Sequence, residues 1–139
     1  DAPLMQAIAE SSIALITDLN PQALANTAWA YARLAFRHDP LLPALSAASI
    51  RTMHALTPGD IAITLWSFAG LGFRDEHCRY ALSAAALRKI SAFVAQDLAN
   101  TAWSVATLAF TDAPLMASIS SASIAKMPQF GMQQFANTA

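Results

Sequence analysis

Few side chains in this chain of 139 residues could do covalent chemistry. His77 and Cys78 are adjacent, which is not a metal-ligand spacing, and Cys78 is the only cysteine, so neither a zinc site nor a disulfide framework is available. Asp1, Asp60, Asp75, Asp97 and Asp112 read as first-turn helix residues that complement the helix dipole, not as a paired acid–base site. Gly59, Gly70, Gly72 and Gly131 are scattered, so no loop cradles a phosphate. No catalytic residue, metal, cofactor or small-molecule substrate is expected, and the chain is not expected to be an enzyme.

Binding chemistry is better provided for. Arg51 and Arg88 stand 37 residues apart, and so do Lys89 and Lys126, with His54 just beyond Arg51. Set one structural unit apart, these cations would line a single edge. That edge is either a solvated face or a line that tracks the phosphates of a single strand. Asn26 and Asn100 are separated by 74 residues, and Asn137 follows after a further 37. Asparagine is a poor helix-interior residue, so its recurrence calls for a hydrogen-bonding reason. It bonds either to a neighbouring unit, as a ladder of structural amides, or to a ligand backbone or base edge. Arg33 lies on the same stripe as Asn26, and Thr107 on that of Asn100, while Ile63 replaces the amide in between.

The spacing of 37 belongs to the whole chain. DAPLM begins at Asp1 and again at Asp112; LANTAW begins at Leu24 and at Leu98; FANTA begins at Phe135. Cutting every 37 residues gives units 1–37, 38–74, 75–111 and a partial unit 112–139, without gaps. Trp29, Trp66 and Trp103 coincide in this register, as do Phe36, Phe73 and Phe110. Each unit reads as two helices, near positions 3–16 and 21–35. The first opens at an aspartate with proline two places on (Asp1, Pro3; Asp112, Pro114), the second at Asn20-Pro21 or Thr57-Pro58. Nothing alternates with period two for long, so strands are not expected. The expected fold is all-α, a right-handed α-solenoid of stacked helical hairpins.

Composition agrees with close helix packing. Apolar residues make up 55% of the chain, charged residues 12%, and alanine alone numbers 32. The formal net charge is −1, which supplies no strong field toward nucleic acid or membrane. The longest uncharged runs, Leu19–Ala32 and Leu98–Thr111, are 14 residues each, too short to span a bilayer, where ~18–20 are needed. Repeat positions 9 to 12 read AESS, SAAS, SAAA and SSAS, almost bare of bulk, which lets first helices approach closely. The bulky anchors Trp29, Trp66, Trp103, Phe36, Phe73, Phe110, Leu34, Leu71 and Leu108 are expected to be buried. Arg51, Arg88 and Lys89 are expected to be exposed, and Phe135 to lack the neighbour that should cover it. The first unit has no polar capping face and Ala139 falls inside a helical pattern, so the segment is expected to come from a longer array.

PQALANTAWAYARLAF and QDLANTAWSVATLAF resemble the second helix of octotricopeptide-type repeats, and the unit length resembles the related heptatricopeptide repeats. The chain is similar as well to the helical repeats that accompany RAP and FAST-kinase-like domains. The resemblance implies an α-solenoid of a mitochondrion or plastid that binds single-stranded or structured RNA and acts in RNA maturation, translation or ribosome assembly. The resemblance does not assign base-reading positions; helix geometry places the expected RNA surface at Arg51, His54, Arg88, Lys89, Lys126, Asn26, Asn100 and Arg33. HEAT- and armadillo-like repeats overlap this length and grip proteins with the same architecture, so a scaffold docked in a large assembly is the alternative.

Overall fold

The computed structural model describes residues 1–129; the expectations for Phe135 and Asn137 lie outside them. Seven α-helices are present among the described residues, with no strand: α1 (Ala2–Ala14), α2 (Pro21–Arg33), α3 (Leu41–Arg51), α4 (Pro58–Gly70), α5 (Glu76–Lys89), α6 (Ala95–Thr107) and α7 (Ala113–Ala125). Short 3-10 turns, Met53–Ala55, Ile90–Ala92 and Met127–Gln129, follow α3, α5 and α7. The fold is all-α, as expected.

The helix starts are written in capping residues. Asn20 Oδ1 accepts from Ala23 N–H at 2.8 Å, and Asp75 and Asp112 do the same for Cys78 and Leu115 at 3.0 and 2.9 Å. Thr57 and Asp60 form a reciprocal capping box at the head of α4. At α3 a histidine takes over this role: His38 Nδ1 accepts from Leu41 N–H at 3.1 Å. Asp1 occupies the N-cap position of α1 but makes no capping bond with its side chain. The even-numbered helices all stop on a left-handed residue in the same column, Ala35 (φ 50°), Gly72 (φ 64°) and Ala109 (φ 51°). The N–H groups of Phe36 and Phe73 reach back to Tyr31 and Phe68 oxygens at 3.0 and 2.9 Å, closing the turn.

The helices pack in two rows. α1 lies on α3, α3 on α5 and α5 on α7; α2 lies on α4 and α4 on α6; the rows meet where α2 touches α3, α4 touches α5 and α6 touches α7. The most extensive packing is within the even row. Its buried positions are largely small: Ala25 and Ala28 on α2, Ala62, Thr64, Ser67 and Ala69 on α4, Ala99, Thr101, Ala102 and Ser104 on α6. Thr64, Ser67, Thr101 and Ser104 each donate to the carbonyl four residues back at 2.6–2.7 Å, so the buried hydroxyls are satisfied within their own helices. Small residues do permit close approach, but the second helices use it more than the first.

This packing overturns part of the expected core. Trp29 is 44% exposed and Leu34 61%, whereas Trp66, Trp103, Phe36 and Phe73 are partly buried, the last three packed against the core. Leu71, Leu108 and Phe110 are buried as expected. The reason is angular: the inward face of α2 runs through Leu24, Ala28 and Tyr31, and Trp29 sits about 100° away from Ala28. The large buried side chains Tyr31, Phe68 and Val105 of these helices stand in another column from the tryptophans. The bulk comes instead from Leu24, Leu41, Leu45, Leu65, Leu82, Leu98, Leu115 and Ile119, and from Leu56 and Phe93 in the turns between helices, all fully buried.

A polar contact repeats along the odd row. Ser46 Oγ donates to Asp75 Oδ2 at 2.8 Å, and Ser83 donates to Asp112 Oδ2 in the same way 37 residues on. Each aspartate uses its other oxygen to cap its own helix. One carboxylate thus serves a helix start and its neighbour together. In the first unit the donor column holds Ala9 and the facing cap is His38, so donor and acceptor are lost as a pair.

Two predictions follow from these junctions. Ala35→Gly and Ala109→Gly should each raise stability by about 0.5–1 kcal/mol, because a Cβ is strained at positive φ, whereas Gly72→Ala should lower it. Thermal unfolding followed by circular dichroism reads both signs. A cycle of Ser46→Ala, Asp75→Ala and the double variant should show a coupling of about 1 kcal/mol or more, as for a hydrogen bond to a charged group. Additive losses in denaturant titrations would disprove the coupling.

Candidate nucleic-acid interface

The residues expected to bind RNA fall into two groups, one on each row. Arg51 and Arg88 occupy the last turns of α3 and α5 and are exposed, and His54 is exposed in the turn after α3. Asn26 and Arg33 are exposed on α2, and Asn100 is half-buried on α6.

The structure corrects two members of the cation line. Lys89 is half-buried, and its Nζ donates to the carbonyls of His54, at 3.3 Å, and Leu56. Lys126 is also half-buried, and its Nζ donates to Ser91 O at 3.1 Å, the equivalent bond one unit on. Carbonyls at the end of a helix have no partner within it and carry partial negative charge, so a lysine from the next unit is drawn to them. These lysines tie units together, and the freely exposed cations of the expected line are Arg51 and Arg88. Arg37, which the sequence reading passed over, ties the even row similarly: its Nη1 donates to Leu71 O at 2.7 Å and Gly72 O at 3.1 Å, while Nε pairs with Asp39.

Among the described residues the asparagines make no amide ladder between units. Asn100 Oδ1 accepts from Gln96 Nε2, one turn back in its own helix, at 2.9 Å. The two asparagines belong to an outward stripe of the even row, as expected, and the tryptophan column, expected in the core, borders it. Gln22, Asn26, Trp29 and Arg33 follow one another at helical spacing on α2; Gly59, Ile63, Trp66 and Gly70 take the same columns on α4, and Gln96, Asn100, Trp103 and Thr107 on α6. The signal was the spacing i, i+4, i+7, i+11, hidden because tryptophan was assigned to the core. The Arg33 guanidinium lies 5.6 Å from the Trp29 ring centroid, and the Trp66 and Trp103 rings are 5.9 Å apart at 36°.

The titratable groups are mostly occupied in holding the fold. Cys78 fills a leucine column, fully buried, and burial pushes its thiol up to about 11, so it stays protonated at neutral pH. Burial also raises Asp97, against the lowering pull of Val94 N–H and the charge of Lys126. Burial raises Tyr31 too, and its hydroxyl donates to Met5 O at 2.8 Å, tying α2 to α1. Among the described residues no three His, Cys, Asp or Glu side chains converge as a metal site would require, and no helix is long and apolar enough to cross a membrane.

None of the curated proteins compared with the chain matches it. The family described as RNA-editing substrate-binding complex 6 protein matches residues 1–76, the first two units, which hold Asn26, Arg33, Arg51 and His54. That match takes in more than half of the sequence, and the chain belongs to the RNA-editing substrate-binding complex 6 protein family.

Proposed function

We propose that the chain is a non-catalytic RNA-binding segment of an RNA-processing factor. Its 37-residue hairpins (1–37, 38–74, 75–111 and the partial 112–139) would form an α-solenoid of the octotricopeptide or heptatricopeptide type. The observation that carries this reading is membership in a family whose description names RNA editing and substrate binding. The exposed Arg51 and Arg88, one unit apart with His54 beside them, support it as places for phosphates. Asn26, Asn100 and Arg33 on the other row supply hydrogen-bonding groups. RNA, single-stranded or structured, is the proposed ligand, in a mitochondrion or plastid as the repeat resemblance implies, within a complex that also contains protein partners.

One observation favours the second reading, a protein scaffold. Two of the four expected cations, Lys89 and Lys126, are spent on contacts between units. Four phosphate contacts on a single strand would give a salt slope of about −3, whereas the two arginines alone give about −1.4. Titrating a labelled single-stranded oligonucleotide with the whole chain, between roughly 50 and 200 mM salt, should return the shallower value. Arg51→Ala with Arg88→Ala should weaken binding to all sequences and flatten the slope further. Absence of binding at low salt, with crosslinks in the native organelle only to protein, would replace the RNA reading with the scaffold.

A further inference from the structure

We propose that the outward face of the even row is where bases lie: single-stranded RNA stacks its bases on Trp29, Trp66 and Trp103 and presents their edges to Asn26 and Asn100. This rests on the RNA reading above and assigns it a surface.

All three tryptophans of the chain stand in one column of this face, and none is buried. An indole is mostly apolar, and with Trp29 44% exposed and Trp66 and Trp103 partly covered, the face forgoes some burial that the fold could use. Base–aromatic stacking is the contact that recovers it, and it suits any base. The neighbouring columns are amide, glycine, threonine and arginine, with Ile63 the exception, so no broad apolar patch surrounds the rings of the kind that would suit an apolar helix of a protein partner. Flat rings with polar edges fit that composition better.

Charge points the same way. The exposed positions of α2, α4 and α6 include Arg33 and no carboxylate. Asp60 and Asp97, the only acids in these helices, are turned to the Thr57 and Val94 backbone N–H groups. A chain of net charge −1 therefore presents a face without negative charge, with Arg51 and Arg88 on the companion row.

The glycines add a second, independent observation. Gly59 and Gly70, the second and last residues of α4, stand on the same face as Trp66. A Cβ on Gly70 would meet nothing within 4 Å, and one on Gly59 only atoms at 3.9 and 4.0 Å. Packing within the protein does not require either glycine. Bare backbone beside the partly covered Trp66 ring leaves room for close approach of a ligand.

The geometry also fixes how a base can lie. A ring slipped between Trp66 and Trp103 needs about 7 Å between their planes, two contact distances of ~3.5 Å. The centroids are 5.9 Å apart, so the pair is a platform to be covered from outside, not a slot.

The test uses the whole chain with oligouridine and oligoadenine 12-mers, reading tryptophan emission and affinity together. RNA should quench the emission. Trp29→Leu, at the most exposed ring, should weaken binding about tenfold with the salt slope unchanged, since stacking involves no counterion release. Gly70→Ala should leave thermal stability equal or higher and still weaken binding several-fold, which a merely structural glycine would not do. RNA binding with unchanged emission, and both variants binding as the parent does, overturns the stacking face and leaves the RNA reading standing. No binding to either oligomer at low salt overturns both. Tryptophans that are covered by a protein partner while RNA crosslinks elsewhere also overturn the face.

Discussion

The constraint on which this structure turns is the close packing of second helices through alanine, serine and threonine. Alanine contributes little burial by itself, so the gain comes from how near the backbones come and how many atoms touch. Buried hydroxyls would ordinarily be costly. Here Thr64, Ser67, Thr101 and Ser104 fold back on their own helices, which removes the cost and leaves a smooth surface for the next helix. Once the inner face is committed to small side chains, the large ones must go elsewhere. Leucine and phenylalanine fill the space between rows and the turns, at Leu56 and Phe93 for instance, and tryptophan is left on the outer face.

Much of this was legible in the residues. Four of the seven helix starts follow from Asn20-Pro21, Thr57-Pro58, Asp75 and Asp112, because capping is local chemistry that sequence displays directly. The burial of Cys78 followed from its leucine column. The tryptophans were misplaced because size and apolarity give no angle. Trp29 differs from Ala28 by one position, and which of the two faces inward depends on the width of the gap between helices. Ala25, Ala62 and Ala99 are buried in one column of successive units, a relation between helices that no single-helix projection contains. Lys89 and Lys126 were misread for a related reason. Their own helices leave them free, and only the unit before supplies the carbonyls that hold them.

The helix ends therefore carry more specific information than the helix faces. Helix ends leave groups unpaired by their own backbone; this chain pairs end carbonyls with lysine or Arg37 from an adjoining unit, and a capping aspartate also takes a serine of the unit before. Such bonds align neighbours along the helix axis, which apolar packing alone leaves free to slide. A surface built across several units keeps its spacing only if that sliding is prevented. The outer columns of the even row inherit their alignment from ties made at the ends.

The serine–aspartate contact bears on how such an array can be copied and rearranged. A duplicate of unit 75–111 can follow itself, since Ser83 would meet the aspartate in the column of Asp75. Placed directly after unit 1–37, the same unit would set Asp75 against Ala9 and leave it without a donor. Unit 38–74, placed after 75–111, would set His38 against Ser83 and strand the hydroxyl. Equal length and the same hairpin therefore do not make the units interchangeable. The junctions impose a grammar on the order of the array, under which some shuffled arrangements survive and others are penalised before any ligand is bound.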